Sequence, residues 1–280
     1  MIVSIASGKG GTGKTTVACA LAQSLDTDSF FLDCDVDEPN AHILLHPHIE
    51  RTTPANILIP SVNEEECDGC GRCAEVCEYH AITVMAGRPL LFDHLCHSCG
   101  GCVLACPAKA IGEREKAIGK IDVGSAGRIR FISGELKVGE AMCTPVIRQV
   151  KSQAEGCPHV IIDAPPGTSC PMVEAVKGSD YCILVTEPTP FGLHDLKLAV
   201  EVVEKLKLPF GVVLNIADIG DDRVDAFCSA RGIPLLLKIP FDRRIAEAYS
   251  RGVSIVDELP EYKDRFRELF NSVSGAAFKP

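Results

Sequence analysis

The 280-residue chain has no tryptophan, and aromatic residues of all kinds make up only 5% of it. It lacks any apolar run near the ~20 residues that a spanning helix needs, which excludes a membrane span and stable insertion. It also lacks an excess of positive charge. Against 28 Lys and Arg stand 38 Asp and Glu, a net charge of −10, which argues against a nucleic-acid backbone as the main partner. The first residues turn straight into a Gly-rich stretch, so no signal peptide is expected. What remains is globular, 46% hydrophobic and 24% charged. The length suits one large α/β domain with a small insert.

Cysteine is abundant instead. There are fifteen, an odd number, and eight fall between residues 67 and 106. With no secretory signal expected, metal ligation in a reducing cytoplasm fits better than a disulfide framework. A cytoplasmic location follows from the same reasoning.

The stretch Ser7-Gly8-Lys9-Gly10-Gly11-Thr12-Gly13-Lys14-Thr15-Thr16 follows a short apolar run, 2–6, and precedes a helical pattern, 17–25. Residues 8–15 fit G-x-x-x-x-G-K-[ST] in the strand–loop–helix context that a phosphate-binding loop requires. The glycines let backbone N–H groups curl around an anion, and the helix N-terminus adds partial positive charge. Lys14 would reach the β- and γ-phosphates, and the Thr15 hydroxyl would ligate Mg²⁺. Lys9 is a second lysine in the loop. With it, Lys9 to Thr16 resembles the deviant phosphate loop of the MinD, ParA, Mrp and nitrogenase iron-protein group. In that group the early lysine crosses a dimer interface to the partner's nucleotide. The resemblance therefore implies an ATP/ADP-binding, Mg²⁺-dependent ATPase working as a homodimer, or as a heterodimer with a paralogue.

The apolar run at 30–32 ends in Asp33-Cys34-Asp35-Val36-Asp37-Glu38-Pro39-Asn40. Acidic residues at the carboxyl end of a parallel strand sit beside the ligand crevice of a doubly wound sheet. By the resemblance, Asp35 orients the attacking water, while Asp33, Asp37 and Glu38 are structural or support the site. A later strand, 160–162, delivers Asp163-Ala164-Pro165-Pro166-Gly167, which resembles the D-x-P-P-G segment of Mrp-like ATPases. Asp163 would hold a water on Mg²⁺, and Gly167 would let the backbone sense the γ-phosphate. Asn215 stands where the family places an adenine-contacting asparagine; capping a strand-end turn is the rival role. Pro240-Phe241-Asp242 resembles the family's late loop near the base.

Between residues 60 and 115 the composition changes. Cys67, Cys70, Cys73 and Cys77 follow C-x₂-C-x₂-C-x₃-C, and Cys96, Cys99, Cys102 and Cys106 repeat it 29 residues later, with Ala81-Ile82 recurring as Ala110-Ile111. This duplication is the signature of a two-cluster bacterial ferredoxin, in which the fourth cysteine of each run serves the other cluster. One [4Fe–4S] cluster would take Cys67, Cys70, Cys73 and Cys106. The other would take Cys96, Cys99, Cys102 and Cys77. Two Cys₄ zinc sites are the alternative, but zinc does not need a duplicated ferredoxin pattern. One departure is that Cys77 is followed by Glu78 where Cys106 has Pro107.

The expected architecture is an α/β, doubly wound, mostly parallel sheet over residues 1–59 and 116–280, with an inserted ferredoxin-like domain over 60–115. Strands are expected at 127–133, 160–162, 181–185, 210–214 and 235–239, with helices at 146–154, 195–206 and 221–230. Tyr262, Phe266, Leu269, Phe270 and Val273 form a helical apolar stripe. Its flanking charges are balanced, whereas a membrane-surface helix wants a basic polar face, so core packing is expected.

Three functions compete on this reading. An iron–sulfur or metallocofactor assembly factor would have an apo-metalloprotein partner. An ATP-gated electron-transfer protein would have a redox partner. A MinD-like spatial regulator comes last, because it has no use for eight ferredoxin cysteines. Many Mrp relatives carry a C-x-x-C that binds a labile bridging cluster; its absence outside the insert counts against a plain Mrp-type carrier. Cys143 and Cys170 lie broadly where the nitrogenase iron protein has the ligands of its dimer-bridging cluster. They are expected either to hold one further [4Fe–4S] cluster per dimer or to be two buried thiols near a loop.

Overall fold

A computed structural model describes residues 1–154 and 156–277. The chain opens with β1 (Ile2–Ala6), α1 (Lys14–Ser24), β2 (Ser29–Asp33), α2 (His42–Leu45) and β3 (His48–Val62). The cysteine-rich segment supplies α3 (Arg72–Glu75), β4 (Ile82–Met85), β5 (Arg88–Leu91) and α4 (Gly101–Ala105), and β6 (Ile111–Ala126) returns from it. Then come β7 (Ile129–Leu136), α5 (Thr144–Ser152), β8 (Val160–Asp163), α6 (Cys170–Val176), β9 (Tyr181–Thr186) and α7 (Pro190–Lys205). The chain closes with β10 (Phe210–Asn215), α8 (Arg223–Arg231), β11 (Leu235–Ile239), α9 (Arg243–Ser250), α10 (Ile255–Glu258) and α11 (Glu261–Ala277).

The main sheet has nine strands in the order β11-β10-β9-β1-β8-β2-β7-β6-β3. From β11 to β7 every neighbour pair is parallel. Strands such as Val160-Ile161-Ile162 and Ile183-Leu184-Val185 are buried throughout, because a parallel sheet is covered on both faces and its strands are apolar without alternation. One face carries α1, α10 and α11, where Leu21, Phe266 and Leu269 pack with Ile5, Phe31 and Ile161. The other carries α5, α6 and α7, where Ile147, Met172 and Val200 meet Leu32, Ile162 and Leu184. All five residues of the Tyr262–Val273 stripe are buried in the first of these layers, as core packing requires.

Some boundaries differ from the sequence expectation for local reasons. α5 starts at Thr144 with Pro145 in its first turn, where proline's missing N–H costs nothing. α7 starts at Pro190, five residues before the expected 195, because the Thr189 hydroxyl accepts from Gly192 N at 2.9 Å and caps the helix. β7 runs on to Leu136.

The far edge of the sheet is antiparallel: β6 pairs with β7, and β3 with β6. These strands have 15 and 16 residues, about 50 Å of chain at ~3.3 Å per residue. Only the Gly119–Ala126 part of β6 lies against β7. Beyond it the two strands pair with each other alone, from Asn56↔Ala117 to Val62↔Ile111. They form a stem whose tip holds residues 63–110, running straight through the expected boundaries at 59/60 and 115/116. Where the stem leaves the sheet its register shifts, Ala55 facing Gly119 but Asn56 facing Ala117. Ile118 is the extra residue; it is buried, and its carbonyl accepts from Lys137 N at 2.8 Å. Such a bulge bends and twists a hairpin. At the tip, β4 and β5 form a small hairpin turned by Ala86 and Gly87, both at positive φ.

Candidate functional site

The loop between β1 and α1 curls around a point over the N-terminus of α1. Gly11 and Gly13 take φ of +79° and +89°, a conformation glycine adopts without strain. Gly8 is needed for space, since a Cβ there would lie 2.1 Å from the Asp195 carbonyl oxygen. The Ser7 hydroxyl donates to Lys9 O at 2.6 Å, and Gly167 N donates to Ser7 O at 3.0 Å with Gly167 at φ +94°. The loop and the Pro166-Gly167 segment are therefore tied directly. Lys14 is buried, with Nζ 3.7 Å from Asp35 Oδ2.

Three carboxylates gather behind Lys14. Asp33 and Asp163 end neighbouring strands in register, and both are fully buried. Asp33 accepts from Asp35 N at 3.2 Å and from Ala41 N at 3.1 Å, shaping the turn that presents Asp35. Burial drives the Asp33 carboxyl well above the usual range, and Asp163 adds to it. Burial also raises Asp163, against the pull of Lys14 and the Thr15 hydroxyl. Burial pushes Asp35 up to about 6, with Lys14 opposing and Asp163 assisting.

Thr15 Oγ1 donates to Asp163 Oδ2 at 2.6 Å, while Asp163 Oδ1 is buried with no partner. Thr12 Oγ1 and Asn40 Oδ1 are likewise buried and unpartnered. An oxygen-only donor set with an orphaned carboxylate oxygen beside a hydroxyl suits a hard cation such as Mg²⁺ with its waters. These residues fit the metal.

A pocket opens from the loop, lined by Gly10, Gly11, Gly13, Lys14, Thr15 and Thr16 at one end. Its far end is apolar, formed by Phe241, Ile245, Tyr249 and Ile255. Phe241 was expected there; the α9 residues Ile245 and Tyr249 were not, although the helix is apolar on one side. Asn215 also lines this pocket. Its Nδ2 donates to Thr12 O at 3.0 Å and its Oδ1 accepts from Ile216 N at 3.0 Å. It thus caps its own strand end and braces the phosphate loop. Lys9 pairs with Glu187 Oε2 of its own chain at 3.3 Å, a partner with no sequence signal.

In the cysteine-rich segment, Cys77, Cys96, Cys99 and Cys102 line one shallow pocket with Leu58, Ala81 and Ile82. Cys77 thus lines this pocket together with three cysteines of the second run. In the other set, the Cys67 and Cys70 thiols add to the upward push that burial gives Cys73. Cys73, Cys77, Cys102 and Cys106 pack in the same small core around Ile82 and Ile111. Among the described residues, no three His, Cys, Asp or Glu side chains converge tightly enough to hold a single metal ion.

Cys143 is the N-cap of α5 and buried; Cys170 opens α6 and is exposed. The two helices are locked together. Lys151 Nζ donates to the carbonyls of Glu174, Ala175 and Lys177 at 2.7–2.9 Å, and Arg148 pairs with Glu174 at 2.9 Å.

Residues 3–255 match the family described as the CobQ/CobB/MinD/ParA nucleotide binding domain, CbiA. An uncharacterised protein of Methanocaldococcus jannaschii is 31% identical over 261 residues, 91% of each chain. An iron–sulfur cluster carrier protein of Pyrococcus abyssi is 26% identical over 282 residues, 91% of this chain and 78% of that one. Among solved structures, the septum site-determining protein MinD of Pyrococcus horikoshii, complexed with Mg-ADP, superposes with a TM-score of 0.59. It is 21% identical, and the match covers 100% of this chain and 99% of that one.

Proposed function

Since the chain belongs to the CobQ/CobB/MinD/ParA family of nucleotide-binding domains, we propose that it is a dimeric ATPase that drives iron–sulfur or metallocofactor assembly or transfer. Residues 63–110 would serve as its two-cluster ferredoxin. The observation that carries the reading is a shared framework: four cysteines of the duplicated pattern line one pocket, on a stem continuous with the sheet that bears the phosphate loop. The iron–sulfur cluster carrier among the relatives supports the same direction.

In this reading the loop's backbone N–H groups and Lys14 hold the ATP phosphates, and Thr15 with Asp163 would hold a hydrated Mg²⁺ that would supply neutralisation of phosphate charge. Asp35 accepts a hydrogen bond from the attacking water and orients it toward the γ-phosphate. Gly167 N, now bound to Ser7 O, lies on the segment placed to sense that phosphate. Lys9 leaves Glu187 and reaches the nucleotide of a second copy. The clusters, held by Cys67, Cys70, Cys73 and Cys106 and by Cys96, Cys99, Cys102 and Cys77, would supply one-electron chemistry at low potential.

ATP-gated electron transfer to a redox partner is the second reading, favoured by the absence of a C-x-x-C outside the segment. Anaerobic purification with iron and sulfide analysis, then incubation with an apo-acceptor with and without ATP, separates the two. Assembly expects eight iron atoms per chain and ATP-dependent transfer of cluster; electron transfer expects the same iron with reduction of the acceptor and no transfer. Zinc in place of iron, from iron-replete cells, would overturn both.

A further inference from the structure

The cysteine-rich segment meets the nucleotide domain at a sheltered polar junction, besides the bond from Gln149 Nε2 to Asn56 O of the stem at 2.9 Å. Lys116, on the stem strand β6, places Nζ 2.8 Å from Glu140 Oε1 and 2.9 Å from Oε2. Both side chains are less than one-fifth exposed, so this is not the solvated kind of ion pair that contributes little. The same Nζ donates to the Asp93 carbonyl at 3.4 Å. Asp93 opens the short turn Asp93–Leu95 that delivers Cys96, and its carboxylate also takes Arg114. Cys96 packs against the core beneath the main sheet, as does Met142. Ser98 Oγ donates to Leu58 O of the stem at 2.6 Å. Among the described residues, the run from Cys67 to Cys77 makes no side-chain hydrogen bond or ion pair to the main sheet.

The other end of the junction reaches the nucleotide. Glu140 belongs to segment 137–143, which is held at its start: Leu136 N donates to Val36 O and Lys137 N to Ile118 O, each at 2.8 Å, and Glu140 N donates back to Lys137 O at 3.0 Å. Val36 lies between Asp35, beside Lys14, and Asp37, whose charge acts on the Cys143 thiol at the end of that segment. A continuous route therefore runs from Asp35 through Val36, Leu136, Glu140 and Lys116 to Asp93 and Cys96.

We propose that Lys116 is a positioning residue that couples the nucleotide segment to the pocket of Cys77, Cys96, Cys99 and Cys102, the set that shares its polar contacts. This rests on the function proposed above. When the Asp35–Asp37 turn responds to a γ-phosphate, it shifts Glu140 and with it the share of the Lys116 charge that faces Asp93 and Cys96. Coupling of binding free energies is reciprocal, so oxidation state in that pocket must alter nucleotide affinity by the factor that nucleotide alters its redox equilibrium.

The test measures Mg²⁺–AMPPNP affinity on the anaerobically purified full chain, oxidised and dithionite-reduced, with EPR-monitored potentials alongside. Wild type is expected to differ about fivefold or more between the two states. Lys116→Met and Glu140→Gln should bind nucleotide in one state as in the other; Lys116→Arg should restore the difference. The EPR signal that shifts with nucleotide should be the one lost in Cys99→Ser and kept in Cys70→Ser. Iron-loaded wild type with redox-independent affinity, or coupling that survives in Glu140→Gln, would overturn the proposal. An iron-free chain would overturn the function itself, a distinguishable result.

Discussion

Asp35 shares its site with Asp33 and Asp163, and that crowding sets its chemistry. Its carboxyl is raised to about 6, chiefly by burial. A raised acid stays protonated to higher pH, so the water-orienting carboxylate disappears as pH falls through that value. ATP hydrolysis should therefore decline about tenfold per unit below about pH 6, and Asp35→Asn should leave a low rate without that limb; a pH–rate profile on both checks it. The two lysines of the loop should separate binding from turnover. Lys14→Ala removes a buried charge from the phosphates and should weaken ATP binding by about thirtyfold or more, the equivalent of ~2 kcal/mol. Under the proposed function Lys9 is a cation supplied across the dimer, so Lys9→Ala should bind ATP normally yet lose about 1000-fold in turnover. Wild-type hydrolysis by Lys9→Ala would show that Lys9 does no more than pair with Glu187.

The α5–α6 pair is the element on which the remaining cysteines can be judged. Lys151 and Arg148 clamp the two helices whose N-terminal ends carry Cys143 and Cys170. If they hold a cluster across a dimer axis, Cys143→Ala/Cys170→Ala should lose four iron atoms per dimer and keep the ferredoxin signal. Unchanged iron would leave them as ordinary thiols, a role the burial of Cys143 already suits. On the opposite face, Phe266→Ala should destabilise the chain by about 3–5 kcal/mol through the cavity it leaves beside Leu21 and Phe31, read by denaturant unfolding. The α11 stripe was legible in sequence because its spacing is helical and its partner layer is wholly apolar. The phosphate loop and the cysteine runs were legible because their chemistry demands fixed spacing within a few residues. The stem strands were not. In β3, Pro54 and Pro60 argue against a strand, yet an edge strand tolerates proline because one row of its backbone groups needs no partner. In β6, the run Gly112-Glu113-Arg114-Glu115-Lys116 reads as a solvated loop; it is a strand only because β3 pairs with it. Asn215 was seen as a site residue, but its grip on Thr12 O spans 203 positions. Lys116–Glu140 and Lys9–Glu187 likewise depend on contacts that no local pattern encodes.

At the scale of the molecule, two copies closing over nucleotide are expected to lock when hydrolysis is blocked. Asp35→Ala with Mg²⁺–ATP should run as a dimer by light scattering, whereas Lys14→Ala should remain monomeric under the same conditions. The place where the cysteine segment joins the sheet also has a consequence for how the chain can fold at all. β2 must find β7 across about 95 intervening residues, a costly closure for a parallel core that relies on distant partners. The stem shortens that search. Once His48 to Val62 has zipped onto Ile111 to Ser125, the remaining loop is about 20 residues. By the logarithmic scaling of closure entropy, the cost falls by about 1.4 kcal/mol. The pairing of the two stem strands brings its own nucleus, the Ile82–Ile111 core that the cysteines surround. The appendage that looks like an interruption of the nucleotide domain would thus act as the splint on which its last parallel strand is set.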